Sequence, residues 1–140
     1  MGVDGGSLLG GAEAEFVAER PVAALATTYP DGLPHVVPIC PVLDLDHLVF
    51  ATEPDTQKVR NLRSSPFVSV GFDEYLDDWT RLRQVIVHGE ATLLDGGFEW
   101  RRDRQLLYDK YPQYEAGSPI VEGSTFIVEV RIDRASSWGF

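Results

Sequence analysis

Between Val22 and Val70 short apolar runs alternate with turn residues at a spacing too tight for helices, and this pattern predicts a sheet. Val22 to Thr28 is small and apolar, and Pro30-Asp31-Gly32 follows with turn chemistry: proline presets its own φ, and glycine accepts a positive one without steric cost. His35 to Val42 then reads as the return strand of a hairpin. Pro38 and Pro41 cannot donate to a ladder, which puts them on an edge, at a bulge, or where the backbone turns towards a ligand. Leu48 to Thr52 forms a third strand after the turn Asp44-Leu45-Asp46-His47.

At Glu53-Pro54-Asp55-Thr56 the period changes from strand to helix. Asp55 or Thr56 can accept from the free amides of a first helical turn, and Val59 and Leu62 then share one face. Further on, Phe67 to Phe72 and Leu82 to Leu94 read as strands, the second long enough to bend at Gly89. Phe98 to Tyr111 places Trp100, Leu107 and Tyr111 at helical spacing and is ended by Pro112. Thr125 to Ile132 alternates, with Phe126, Val128, Val130 and Ile132 on the core face. Ahead of the sheet, Ser7 to Glu19 predicts a helix with Leu9, Ala12 and Phe16 on one side, weakened at its start by Gly10 and Gly11 and stopped by Pro21. There is no internal repeat. Antiparallel strands with one or two flanking helices imply a mainly β fold, a β-barrel, in a single domain over residues 1–140: an N-terminal helix in 1–20, the main barrel strands in 22–94, a helix over 98–111 and a closing strand over 125–132.

Composition narrows the function. The 140 residues are 44% hydrophobic, enough for one core. A net charge of −10 argues against nucleic acid or an anionic membrane as a partner, since both need a positive footprint. An oligonucleotide-binding barrel is disfavoured further by the lack of spaced aromatics across a basic face. Without a signal-peptide core or a long apolar run, the chain reads as cytoplasmic. Cys40 is the single cysteine, so no intrachain disulfide forms, and its expected state is a small buried apolar residue. His35 and His88 fall in predicted strands as satisfied structural histidines, Asp44, Asp46 and His47 as a solvated turn. Without a Cys, His and carboxylate cluster at ligand spacing, no metal site is expected.

Against that acidic background, Lys58, Arg60 and Arg63 put three cations within six residues. A helix start with unpaired amides, carrying Lys58 directly after a strand that ends in Ala51-Thr52, is an anion-binding arrangement. The competing reading is a solvated surface helix whose cations offset a negative chain.

The order "VAALATT", DG turn, "PHVVPI", "LVFAT", "KVRNLR" and "SPFVSV" resembles the split β-barrel flavin and deazaflavin binders related to pyridoxamine 5'-phosphate oxidase. With "DDWTRLRQVIVHGEATLL" and "KYPQY", the chain after Glu15 is similar to the small members classed as F420-dependent enzymes. The resemblance implies an antiparallel split barrel and a homodimer whose cofactor ring lies in a groove between subunits. Val37, Pro38 and Ile39 would line the ring with backbone groups. Ala51 and Thr52 would approach the ribityl chain and phosphate, and Gln57 and Lys58 would close on the phosphate. Asn61 would support the helix or touch the cofactor. Trp79 would lie beside the site from the partner subunit, or else pack at the barrel mouth or anchor a dimer interface.

Vitamin B6-oxidising members carry an arginine and a lysine on the strand that here reads His35-Val36-Val37-Pro38-Ile39, and a longer C-terminal substrate region; this chain has neither. Vitamin B6 oxidation is therefore not expected. By resemblance alone, the chain is expected to be an F420-dependent oxidoreductase that transfers hydride between the deazaflavin and a small organic substrate. The alternatives are FMN in the same fold, or a noncatalytic cofactor carrier. The ring supplies the hard chemistry and the protein orients it. No catalytic acid or base stands out, Tyr29 and Tyr75 being the nearest proton donors. F420 carries an acidic tail beyond its phosphate, for which Arg60, Arg63, Arg81 and Arg83 are the nearest cations.

Overall fold

A computed structural model describes residues 8–140. Seven strands form one sheet in the order β2-β1-β5-β6-β7-β4-β3: β1 Ala23–Thr28, β2 Pro34–Ile39, β3 Val42–Asp44, β4 His47–Thr52, β5 Phe67–Glu74, β6 Arg83–Leu94 and β7 Phe126–Trp138. Every neighbouring pair is antiparallel. The helices are α1 Gly11–Glu19, α2 Gln57–Ser64, α3 Phe98–Lys110 and α4 Gln113–Gly117.

The connectivity forces the sheet to curl. Its two edge strands, β2 and β3, are joined only by Cys40-Pro41, so the edges come within about 10 Å of each other, the reach of three extended residues. The result is the split barrel. Its interior is filled by alternate side chains, among them Leu25, Phe50, Val70, Phe72, Val85, Val87, Val128 and Val130, capped by Phe16 and Val17 of α1. A second cluster lies outside the sheet, where Trp100, Leu107 and Tyr111 of α3 cover Val49 and Ile127.

The hairpin β1–β2 follows from its turn. Gly32 N donates to Tyr29 O, Tyr29 N donates to Leu33 O at 2.8 Å, and Gly32 takes φ +93°. That closes a tight turn with a glycine bulge and fixes the phase of the ladder. Counting from the Tyr29–Leu33 pair, His35, Val37 and Ile39 turn their backbone groups towards β1, while Pro34, Val36 and Pro38 turn theirs to the free edge. Both prolines thus sit where no ladder bond is lost.

Several expectations are corrected. The return strand does not run through Val42: Pro41 interrupts it where the chain steps from one sheet edge to the other, and Val42–Asp44 becomes a separate strand beside β4. Cys40 lies on that step and is exposed, not buried. Asp44 is no solvated turn residue, because Arg102 of α3 pairs with it at 3.0 Å. His35 is not satisfied: its buried Nδ1 has no partner among the described residues, and its ring meets Tyr29 edge-on. The first helix begins at Gly11, and the expected start at Ser7 lies outside the described residues. Its buried face is Leu9, Phe16 and Val17, with Ala12 exposed. Phe126 sits outside the main core, under the Arg63 guanidinium at 5.6 Å from its ring. The closing strand does not stop at Ile132. A bulge opposite His88/Gly89 adds one residue, and β7 continues to Trp138.

α3 holds the barrel seam. Lys110 Nζ donates to the carbonyls of Arg20 (2.8 Å) and Pro41 (2.7 Å), and Tyr111 Oη donates to those of Pro21 (3.0 Å) and Pro41 (2.6 Å). Burial lowers Lys110 to about 8 and pushes the Tyr111 phenol up.

Candidate functional site

α2 starts as its sequence requires but is capped differently from expectation. Thr56 occupies the N-cap position with extended backbone, yet no side chain accepts from the first-turn amides. Its hydroxyl donates to Glu53 O (3.2 Å) and lies 3.4 Å from Thr52 Oγ1. Asp55 contributes its carbonyl to Arg60 instead (2.8 Å). The amides of the first turn and the dipole behind them therefore remain available to an anion.

Beside them Lys58 makes no hydrogen bond or ion pair among the described residues, and partial burial lowers its pKa. An amine kept from water with no carboxylate to compensate it is suited to receiving an anionic group. Gln57 is already engaged, donating to Asn61 Oδ1 (2.8 Å) and accepting from Arg60 (2.9 Å). Asn61 is fully buried and donates to Thr27 Oγ1 on β1 (3.0 Å). The chain Arg60–Gln57–Asn61–Thr27 thus braces α2 against the barrel.

Val37, Pro38 and Ile39 lie on β2, the neighbour of the strand that carries Thr27. Ile39 points into the core and is 6% exposed, and Val37 packs partly against the same core. On the outer face, Pro38 and Val36 line a shallow groove of about 260 Å³ with Val22, Ala23, Ala24, Val37 and Asp73. Its polar backbone groups come from the free edge of β2. Ala51 and Thr52 border another concavity of about 160 Å³, walled by Tyr114, Ser118 and Ile120. Trp79, in a single 3-10 turn (Trp79–Arg81), is 69% exposed and donates to Tyr75 Oη at 3.2 Å.

Within one subunit the structure links Thr52, Thr56, Gln57, Asn61 and Thr27 around the start of α2, next to Lys58 in the chain; the β2 groove and the concavity at Ala51 and Thr52 share no lining residue, and Trp79 lines neither. Among the cations considered for a tail, Arg83 is held by Glu74 (3.0 Å) and Arg63 covers Phe126, whereas Arg81 is in no ion pair among the described residues. Sequence reasoning missed the wall from α4 to Ile120, because a five-residue helix after Pro112 leaves no periodicity to read. It also passed over a larger depression, about 420 Å³, bordered by Ser69, His88 and Arg134. Only the bulge in β7 places Arg134 there.

No curated protein has a matching sequence. Solved structures do match in fold. A conserved hypothetical protein of Mycobacterium tuberculosis, Rv2991, superposes with a TM-score of 0.79 at 23% identity, over 99% of this chain and 90% of its own. An FAD-binding protein of Mesorhizobium loti gives 0.75 at 23% identity, over 92% and 94%. The heme storage protein HutZ of Vibrio cholerae gives 0.74 at 18%, over 89% of each chain. Two further neighbours are longer, and the chain spans 55% and 52% of them. The family model for pyridoxamine 5'-phosphate oxidase matches residues 9–139, from the start of the described chain to its last strand. The curled antiparallel sheet and this match across nearly its whole length have one reading: the chain belongs to the pyridoxamine 5'-phosphate oxidase family.

Proposed function

We propose that this protein binds the deazaflavin F420 and transfers hydride between it and a small organic substrate. The observation that carries the reading is Lys58: an unpaired, partly buried cation beside the uncapped amides of α2. In this reading Lys58 and the α2 amides hold the phosphate, with Thr52 beside them, and Ala51 borders the ribityl chain. Val36 N–H and C=O and Pro38 C=O at the free edge of β2 face the ring. The ring, when bound, supplies the hydride chemistry, and the protein's part is to orient it and exclude water.

In this reading the protein is a homodimer in which a second copy completes the groove at the free edge of β2. Val22, Val36, Trp79 and Trp138 are each about half exposed or more, and they supply apolar area for such an interface. Trp79 then reaches the partner's site. A noncatalytic carrier is the second reading. It is favoured by the sparse acid–base equipment of the β2 groove, where Asp73 is the one ionisable lining residue among the described residues. FMN in the same groove is the third.

Replacing Lys58 tests the phosphate site. Lys58→Ala should weaken cofactor binding by about 1.5–3 kcal/mol, the usual size of a hydrogen bond to a charged group, with thermal unfolding unchanged. Fluorescence titration measures it, and an unaltered dissociation constant would remove Lys58 from the site.

A further inference from the structure

Five strands align one outward residue each in a single transverse row: Val36, Ala26, Ser69, His88 and Arg134, each the direct cross-strand partner of the next. The middle of the row is a depression of about 420 Å³, floored by Ala26 and flanked by Phe67, Pro34 and Thr28. A pocket of this size accepts a small organic molecule. Its polar end is built. Ser69 Oγ and His88 Nδ1 are 2.7 Å apart, which fixes the imidazole and leaves Nε2 without a partner among the described residues.

The bulge in β7 supplies the charge. Ile132 faces the core and Ala135 packs against it, so the extra residue puts both Asp133 and Arg134 on the outer face. Regular pairing would have sent one of them inward. Asp133 is paired with Arg131 at 3.0 Å, a cation it shares with Glu90, whereas Arg134 is in no ion pair among the described residues. In a chain of net charge −10, an uncompensated guanidinium over a hydroxyl–imidazole pair is a local anion site. The apolar floor calls for a hydrocarbon body, and Asp133 beside the guanidinium disfavours a dianion.

We propose that this depression binds a small monocarboxylate with a flat apolar body, its carboxylate on Arg134 and its body over Ala26. The neighbouring row, Pro38, Ala24, Gly71, Ile86 and Ser136, lies about 7 Å along the strands and carries the β2 groove. A molecule held here lies beside the ring, a placement that rests on the function proposed above.

The test uses benzoate with the isotope-labelled, cofactor-free full chain, followed by nuclear magnetic resonance. Saturable shifts should appear at the His88 ring and at the Ser69, His88 and Arg134 amides. Benzamide, of the same shape without the charge, should bind at least tenfold more weakly, as should benzoate to Arg134→Gln. Arg134 is exposed, so the rest of that variant's spectrum should not move. Ala26→Leu, which fills the floor, should lose benzoate with the guanidinium intact. Absent or scattered shifts, equal binding of benzamide, retention in either variant, or inorganic phosphate perturbing the same resonances as strongly would overturn the proposal. Because no cofactor is present, failure here leaves the F420 reading standing, and failure of F420 to bind leaves this pocket standing.

Discussion

Single residues carry the clearest electrostatic consequences. Glu129, on the outer face of β7 under α3, is pushed up to about 9, first by burial and then by sharing hydrogen bonds with Asp103 and Glu99. Asp103 is fully buried; Arg102 lies 3.2 Å from its Oδ1 and is also held by Asp44. A carboxyl with a folded pKa above its unfolded value takes up a proton on folding, so the stability it contributes is lost as pH rises from about 4.5 to about 9. The limiting slope is about 1.4 kcal/mol per pH unit per proton. Lys110 acts in the opposite sense but in a different window, adding stability as pH rises from about 8 to 10.5. Between pH 5 and 8 Glu129 dominates. Glu129→Gln should flatten the denaturation free energy across that range, and a slope equal to that of the parent chain would refute the assignment.

At the scale of elements, the seam depends on one helix end. Lys110 and Tyr111 join the segment after α1 to the Cys40-Pro41 step through four hydrogen bonds to three carbonyls. Lys110→Met keeps the aliphatic stem but leaves Arg20 O without that donor and Pro41 O with only Tyr111. It should destabilise the chain by about 1.5–3 kcal/mol in chemical denaturation, as for a charged donor, and a change under about 0.5 kcal/mol would mean that water replaces the amine. Most elements were legible before any coordinates, because period-2 and period-3.6 patterns report which face is buried. Trp100, Leu107 and Tyr111 revealed α3, and Pro30-Asp31-Gly32 revealed the first hairpin. The failures have local causes. β3 was hidden because apolar residues continue through Pro41 although the ladder does not. The outer half of β7 was hidden because the bulge at Asp133 breaks the alternation. The N-cap prediction placed the right residue but not its hydroxyl, which a neighbouring carbonyl captured.

For the whole molecule, what the sequence left out is which surfaces are continuous. Lys58 and β2 could each be singled out as ligand-facing, yet only the folded sheet shows that the β2 groove and the concavity at Ala51 and Thr52 share no lining residue. The proposed second subunit would cover the exposed Val22 and Val36 beside that groove. Sedimentation near micromolar protein should give a two-fold assembly; a persistent monomer that binds cofactor at full stoichiometry would contradict the shared groove. The central claim concerns the cofactor, and the most direct measurement is a pair of fluorescence titrations, F420 and FMN, at low salt and at about 0.5 M salt. F420 should bind more tightly, with an advantage that shrinks at the higher salt, because exposed cations such as Arg81 offset its acidic tail and such pairs are screened over a few ångströms there. Equal or tighter binding of FMN at low salt would contradict the account.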